Sequence, residues 1–189
     1  SNLDCIDWIS DYLKSFGARC EITSETKGKA NIFATLGPDT DGGIILSGHT
    51  DVVPVEGQNW STDPFKMKRK NNALFGRGTC DMKGFIAAAM AMVPKYSKLD
   101  LKRPIHFAFT YDEEVGCLGA RVLVNQLIAS GLKPSACIVG EPTSMRIIEG
   151  HKGMCEYTTE FRGVEGHSSQ PDRCVNALEY AHRFINKLM

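Results

Sequence analysis

Apolar residues recur at helical spacing over Leu3, Ile6, Ile9, Leu13 and Phe16, and Gly17 follows, which predicts an amphipathic helix stopped by a glycine. Short apolar runs at Cys20 to Thr23, Asn31 to Leu36 and Ile44 to Ser47, separated by Gly, Pro, Asp and Asn, read as strands. Phe65 to Lys70 and Ala73 to Phe75, joined across Asn71 and Asn72, predict an edge hairpin whose turn uses residues tolerant of positive φ. Lys83 to Val93, rich in Ala and Met and ended before Pro94, predicts a buried helix, and Ile105 to Thr110 a strand after it. Leu118 to Ser130 predicts a second helix with Gly131 behind it, and the wholly apolar Ala136 to Val139 suits the middle of an α/β sheet. Because strands and helices alternate, the expected fold is an α/β domain with a mixed, mostly parallel sheet flanked by helices. From about Gly150 the pattern changes. Met154 to Phe161 alternates in the antiparallel, one-face-wet manner and Val175 to Leu188 is helical, so we expect a domain over 1–149 and the start of an α+β domain over 150–189.

Composition narrows the field of partners. The 189 residues are 42% hydrophobic and 23% charged, enough for one sizeable core and part of a second. Twenty-two basic residues balance 22 acidic ones, so no long-range field favours nucleic acid or an anionic membrane over a small ligand. Seven scattered cysteines with no Cys-x-x-Cys pair fit reduced thiols, and no apolar run approaches the ~20 residues that span a bilayer; we expect a cytoplasmic protein. The chain opens at Ser1 directly into a helical pattern and closes at Met189 inside another, the texture of an internal piece of a longer protein.

Five segments place metal-type ligands where predicted strands end, which is where open α/β sheets put their sites. In Gly48-His49-Thr50-Asp51, residues two apart on an extended chain face the same way, so His49 and Asp51 project together as an imidazole with a carboxylate partner. Gly76-Arg77-Gly78-Thr79-Cys80-Asp81-Met82-Lys83-Gly84 delivers Asp81 to a helix start; a helix cap is the plainer reading, and the spacing matches neither nucleotide-binding glycine motif. Asp112-Glu113-Glu114 follows an apolar strand, where stacked carboxylates need cations or protons. Glu141 follows another such strand, and Gly166-His167-Ser168-Ser169 lies in the second region. Singly, each has a bland reading as a surface pair, a solvated turn or a loop. Together, one imidazole and several carboxylates suit zinc, cobalt or manganese in a catalytic site.

These five segments, with Gly140-Glu141-Pro142-Thr143-Ser144 as the fourth, occur in the order seen in the M20 metallopeptidase and deacylase family, and the resemblance spans nearly the whole chain. It implies a zinc-exopeptidase-like catalytic domain carrying an inserted lid and dimerisation domain, and a hydrolase acting on a small N-acylated amino acid. The implied centre holds two zinc ions: Asp81 bridges both, His49 and Glu141 complete one position, and Glu114 serves the other. Asp51 would orient His49 and Glu113 would be the general base. His167 would belong to the lid and serve the partner subunit's site, which implies a homodimer. A further histidine ligand is implied beyond Met189, so this span would hold one metal position in full and the other in part. Cys80 beside Asp81 is expected to be a packed thiol.

Two readings of other classes compete. A cysteine hydrolase using Cys80 with His49 would leave Glu114 and Glu141 without roles. A non-catalytic binding module would keep the fold but not the turnover, although every motif carboxylate of this span is present.

Overall fold

A computed structural model of the chain describes residues 1–153 and 155–189. It divides into two compact units, Ser1–Ile147 and Ile148–Met189.

The first unit is built on a five-stranded sheet of β1 (Arg19–Thr23), β2 (Asn31–Leu36), β3 (Ile44–His49), β6 (Ile105–Thr110) and β7 (Ala136–Val139), in the spatial order β1-β2-β6-β3-β7. The sheet is mixed: β1 with β2 and β2 with β6 pair antiparallel, whereas β3 pairs parallel with both β6 and β7. Alternation of side chains splits the strands between two cores. Ile32, Ala34, Leu36, Phe107 and Phe109 face α1 (Leu3–Ser15) and α2 (Lys83–Ala91), contacting Ile6, Ile9, Leu13, Ile86 and Met90. Phe33, Ile45 and Ala108 face the other way, onto Leu123 of α4 (Leu118–Ser130). The result is a helix–sheet–helix sandwich. The hairpin forms a small sheet of its own from β4 (Lys68–Lys70) and β5 (Ala73–Phe75), and its turn carries Asn71 and Asn72 at φ 48° and 59°. Its first strand is shorter than the sequence suggests, leaving Phe65 in a turn.

Two expectations for this unit are corrected. Ala136–Val139 is not central but outermost: among the described residues only β3 pairs with it, and Ile138 and Val139 are 48% and 58% exposed. An apolar run reports that a strand prefers burial, not where in the sheet it lies. The helix that should end at Val93 ends at Ala91, and a separate turn, α3 (Val93–Tyr96), takes Pro94 in its first positions, where a missing N–H costs nothing. Only one face of α2 is buried, through Ile86, Ala89 and Met90.

In the second unit, α5 (Ala177–Leu188) begins two residues later than the pattern suggests. Asn176 caps it by accepting a hydrogen bond from Leu178 N at 3.0 Å, while Val175 pairs with Val164 in an isolated antiparallel bridge. The strand expected from Met154 to Phe161 does not form over 155–161, and Met154 lies outside the described residues.

His106 on β6 shows what the sandwich does to a titratable group. Its ring stacks on Phe33 with centroids 5.2 Å apart, and Nδ1 lies 2.9 Å from Thr35 Oγ1. Burial pushes its pKa below the ordinary 6.5, against a smaller upward pull from the Gly42 carbonyl. The unfolded chain therefore takes up a proton before the folded one does, so stability contributed here is full above about pH 6.5 and is lost as pH falls toward the folded value. Urea midpoints measured on the full-length protein from pH 8 to pH 5 should decline more steeply than those of His106→Gln. Parallel curves would mean that the ring protonates freely in the folded state.

Candidate metal centre

Three neighbouring strands end side by side. In register, His49 at the end of β3 lies opposite Thr110 at the end of β6, and Ser47 opposite Val139 at the end of β7. The chain leaving β6 carries Asp112, Glu113 and Glu114, and the chain leaving β7 carries Glu141. Asp81 arrives separately, on the loop before α2, through a cis Asp81–Met82 peptide. Two glycines allow this convergence. A Cβ on Gly84 would stand 2.2 Å from the Thr79 carbonyl oxygen, so the Arg77–Gly84 loop can fold against the first turn of α2 only with glycine there. A Cβ on Gly140 would stand 2.0 Å from the Phe85 ring, which packs against the main chain immediately before Glu141.

His49 is the hub, 1% exposed. Its Nδ1 lies 3.1 Å from the main-chain oxygen of Asp51. A carbonyl only accepts, so Nδ1 carries a proton; the protonated ring also donates from Nε2 to Asp81, whereas the neutral ring offers the Nε2 lone pair that a cation would take. Around Nε2 stand Asp81 Oδ1 at 3.0 Å, Glu141 Oε1 at 3.7 Å and Glu113 Oε2 at 3.9 Å. Two triads of donor atoms, His49 with Glu113 and Glu141, and His49 with Asp81 and Glu114, each lie within 4.8 Å of one another. Desolvation pushes the pKa of Glu114 up, and Asp81 adds to the shift. Desolvation also raises that of Glu141; His49 opposes this, whereas Asp81, Glu113 and Glu114 reinforce it. Desolvation pulls the His49 pKa down, but the hydrogen bond to Asp81 and the charges of Asp51, Glu141 and Glu113 together carry it above its ordinary value. Burial is the larger cause for the two carboxyls, and in all three groups the neighbouring carboxylates push the same way, toward protonation. One imidazole with a cluster of carboxylates and no thiolate among them is a donor set that a divalent cation fits, and a cation would relieve the repulsion.

The side chain of Asp51 does something the sequence does not suggest. Its Oδ1 is 3.4 Å from His49 Nδ1, but Oδ1 and Oδ2 each accept a backbone hydrogen bond, from Glu113 N and Glu114 N, both at 3.1 Å. Asp51 thus grips the acidic turn by its main chain while its own carbonyl holds the imidazole. Lys83 was also missed: its Nζ donates to the Thr50 carbonyl at 2.6 Å, bracing the segment between His49 and Asp51. A cation in the first turn of a helix opposes the helix dipole, and that mismatch is the signal that could have found it. Asn2 and Asn31 stitch the same region together. Asn2 Nδ2 donates to Thr50 Oγ1 at 2.9 Å, and Asn31 Nδ2 donates to the Gly119 carbonyl at 2.9 Å.

Asp81 is not the helix cap of the plainer reading; Met82 holds that position without a side-chain cap bond. Cys80 is exposed rather than packed, and it is Asp81, not Cys80, that meets His49. His167 belongs to the second unit, where it is exposed. Ser169 N donates to its Nδ1 at 3.2 Å, so the ring proton of the neutral form sits on Nε2.

Residues 45–186 match peptidase family M20/M25/M40. The chain belongs to that family. It is 38% identical over 190 residues to the acetylornithine deacetylase of Buchnera aphidicola subsp. Schizaphis graminum, covering all of this chain and 49% of that protein. It is 39% identical to the acetylornithine deacetylase of Proteus mirabilis, covering 48% of it. The chain therefore spans about half the length of these curated relatives. Among solved structures, human carnosine dipeptidase 1 superposes with TM-score 0.61 at 28% identity, over 71% of this chain and 31% of that one. A tripeptidase from Staphylococcus aureus superposes with TM-score 0.66 at 19% identity, over 95% and 49%, a likeness of fold. A mixed sheet flanked by helices is thus this M20 chain's architecture. Among the described residues no helix is long and apolar enough to cross a membrane.

Proposed function

We propose that the full-length protein is a metal-dependent amidohydrolase that cleaves N2-acetyl-L-ornithine to L-ornithine and acetate, serving arginine biosynthesis in the cytoplasm. The observation that carries the reading is the convergence of His49, Asp81, Glu113, Glu114 and Glu141 at three adjacent strand ends and one helix entry, within a chain so similar to proteins named acetylornithine deacetylase.

In this reading His49, Asp81, Glu114 and Glu141 would supply ligands for two zinc ions, and cobalt or manganese would suit the same donors. When bound, the cations lower the pKa of water toward ~7 and polarise a carbonyl. Glu113 takes the proton of the attacking water at its carboxylate as the new C–O bond forms. It then returns that proton to the amine nitrogen as the C–N bond breaks, leaving acetate and a free amine. Asp51 keeps Glu113 and Glu114 at fixed positions. His167, in a lid and dimerisation domain of which residues 150–189 are the start, offers its Nε2–H to the developing oxyanion of the partner subunit's site in a homodimer.

The test is an assay of the full-length protein for ornithine release from N-acetylornithine, with succinyl-diaminopimelate and other N-acyl amino acids alongside. We expect ornithine release to be fastest, lost on chelation and restored by zinc. Preference for another acyl amino acid would replace the substrate and keep the mechanism. Zinc binding without turnover of any substrate would overturn the hydrolase reading.

A further inference from the structure

The acidic turn that carries Glu113 and Glu114 depends on a residue far from it in sequence. Asp112, the residue between β6 and Glu113, sits in the left-handed region at φ 54°. That conformation turns the chain so that the next two N–H groups point the same way, forming the concavity that receives the two oxygens of Asp51. An aspartate tolerates the left-handed region, but its side chain here is only 12% exposed, and a buried carboxylate needs a partner. The partner is Lys29. Its Nζ reaches both carboxylate oxygens, at 2.6 Å for Oδ1, from the turn before β2.

Lys29 is itself firmly set. Its backbone N–H donates to the Thr26 carbonyl at 3.0 Å, the next N–H, of Ala30, donates to Asn2 Oδ1 at 2.9 Å, and Gly28 before it adopts φ 77°. The turn at Asp112 is tied down on its other side as well, because the Asp112 carbonyl accepts from Leu118 N at 3.1 Å at the start of α4. The Glu113 and Glu114 main chain is therefore held between a carboxylate in front and an ion pair behind.

We propose that Lys29 and Asp112 are a positioning pair: their part-buried ion pair fixes the left-handed turn that delivers Glu113 and Glu114 to the metal centre. Neither residue belongs to the groups of donor atoms around His49, so the pair acts through the turn. Removing the ammonium leaves the Asp112 carboxylate to swing toward water, and the two amides that meet Asp51 move with it. The inference rests on the metal-centre reading above, and part of its test is independent of any substrate.

Zinc affinity of the full-length protein would be measured by competition with a chromophoric chelator, and kcat and KM on N-acetylornithine at a temperature where every variant is folded. For Lys29→Met and Asp112→Asn we expect zinc affinity at one position to weaken by about tenfold or more, the scale seen for residues that support metal ligands. kcat should fall by about tenfold or more with KM within about threefold, because the carboxylates and not the pocket have moved. Lys29→Arg, which keeps the charge and a fork that fits a carboxylate, should stay within about threefold of the parent in both. Zinc affinity and kcat within about twofold of the parent in Asp112→Asn would overturn the proposal, leaving the pair a purely structural contact. Asparagine accepts the same left-handed backbone, so this variant decides the matter even where Lys29→Met fails to fold. A parent protein that binds zinc but hydrolyses no substrate would refute the proposed activity, while the zinc titrations would still decide the role of Lys29.

Discussion

Replacing Glu113 by Gln should reduce kcat of the full-length protein on N-acetylornithine by about a thousandfold, within the usual 10²–10⁴ range for removing a general base, while two zinc ions still bind. The amide occupies the same volume beside His49 and can still accept the Cys117 thiol contact made by Oε1, so the turn has no reason to rearrange. What is lost is the ability to take a proton from water and give it to the leaving amine. The control is the zinc titration together with the unfolding midpoint. Lost turnover with unchanged zinc content is expected; turnover within about tenfold of the parent would remove Glu113 from the reaction and leave it as a ligand.

The second large effect is expected at Asp51. Asp51→Ala should weaken zinc binding or lower kcat by about 10- to 100-fold, although its carboxylate need not touch the metal. Two backbone amides, of Glu113 and Glu114, lose their acceptor together. Because both are only partly buried, the stability cost should lie at the lower end of roughly 1–3 kcal/mol for each amide left without a partner. Asp51→Asn keeps one carbonyl acceptor and should fall between parent and alanine variant in zinc affinity. If alanine and asparagine variants both bind zinc as tightly as the parent, the main-chain grip is not what holds the acidic turn.

Much of this was legible in the residues. Asn31–Leu36, Ile105–Thr110 and Leu118–Ser130 form with the predicted bounds because strong apolar periodicity ends there against Gly, Pro or an acidic turn. The strand ends that bring His49, Glu113, Glu114 and Glu141 together were readable for the same reason: a polar cluster directly after a buried strand has few places to go. What the residues did not reveal depends on neighbours distant in sequence. The outermost place of β7 follows from pairing order, and apolar character carries no information about order. The double grip of Asp51 depends on the left-handed turn at Asp112, and Lys29 stands in an ordinary polar turn whose partner lies more than eighty residues away. The strand expected near residue 155 rested on alternation alone, and alternation needs a partner strand to become a sheet.

The order of strands in the sheet also bears on how the protein comes into being. During synthesis β3 and its terminal His49 emerge early, yet both strands that flank β3 are made later, as residues 105–110 and then 136–139. Pairings between segments so far apart in the chain close slowly, because the intervening loop must first lose its freedom. His49 and Asp51 therefore leave the ribosome well before Glu113, Glu114 and Glu141. If the centre takes up metal as proposed, capture would be a late event in maturation, and metal present during synthesis would meet only part of the ligand set.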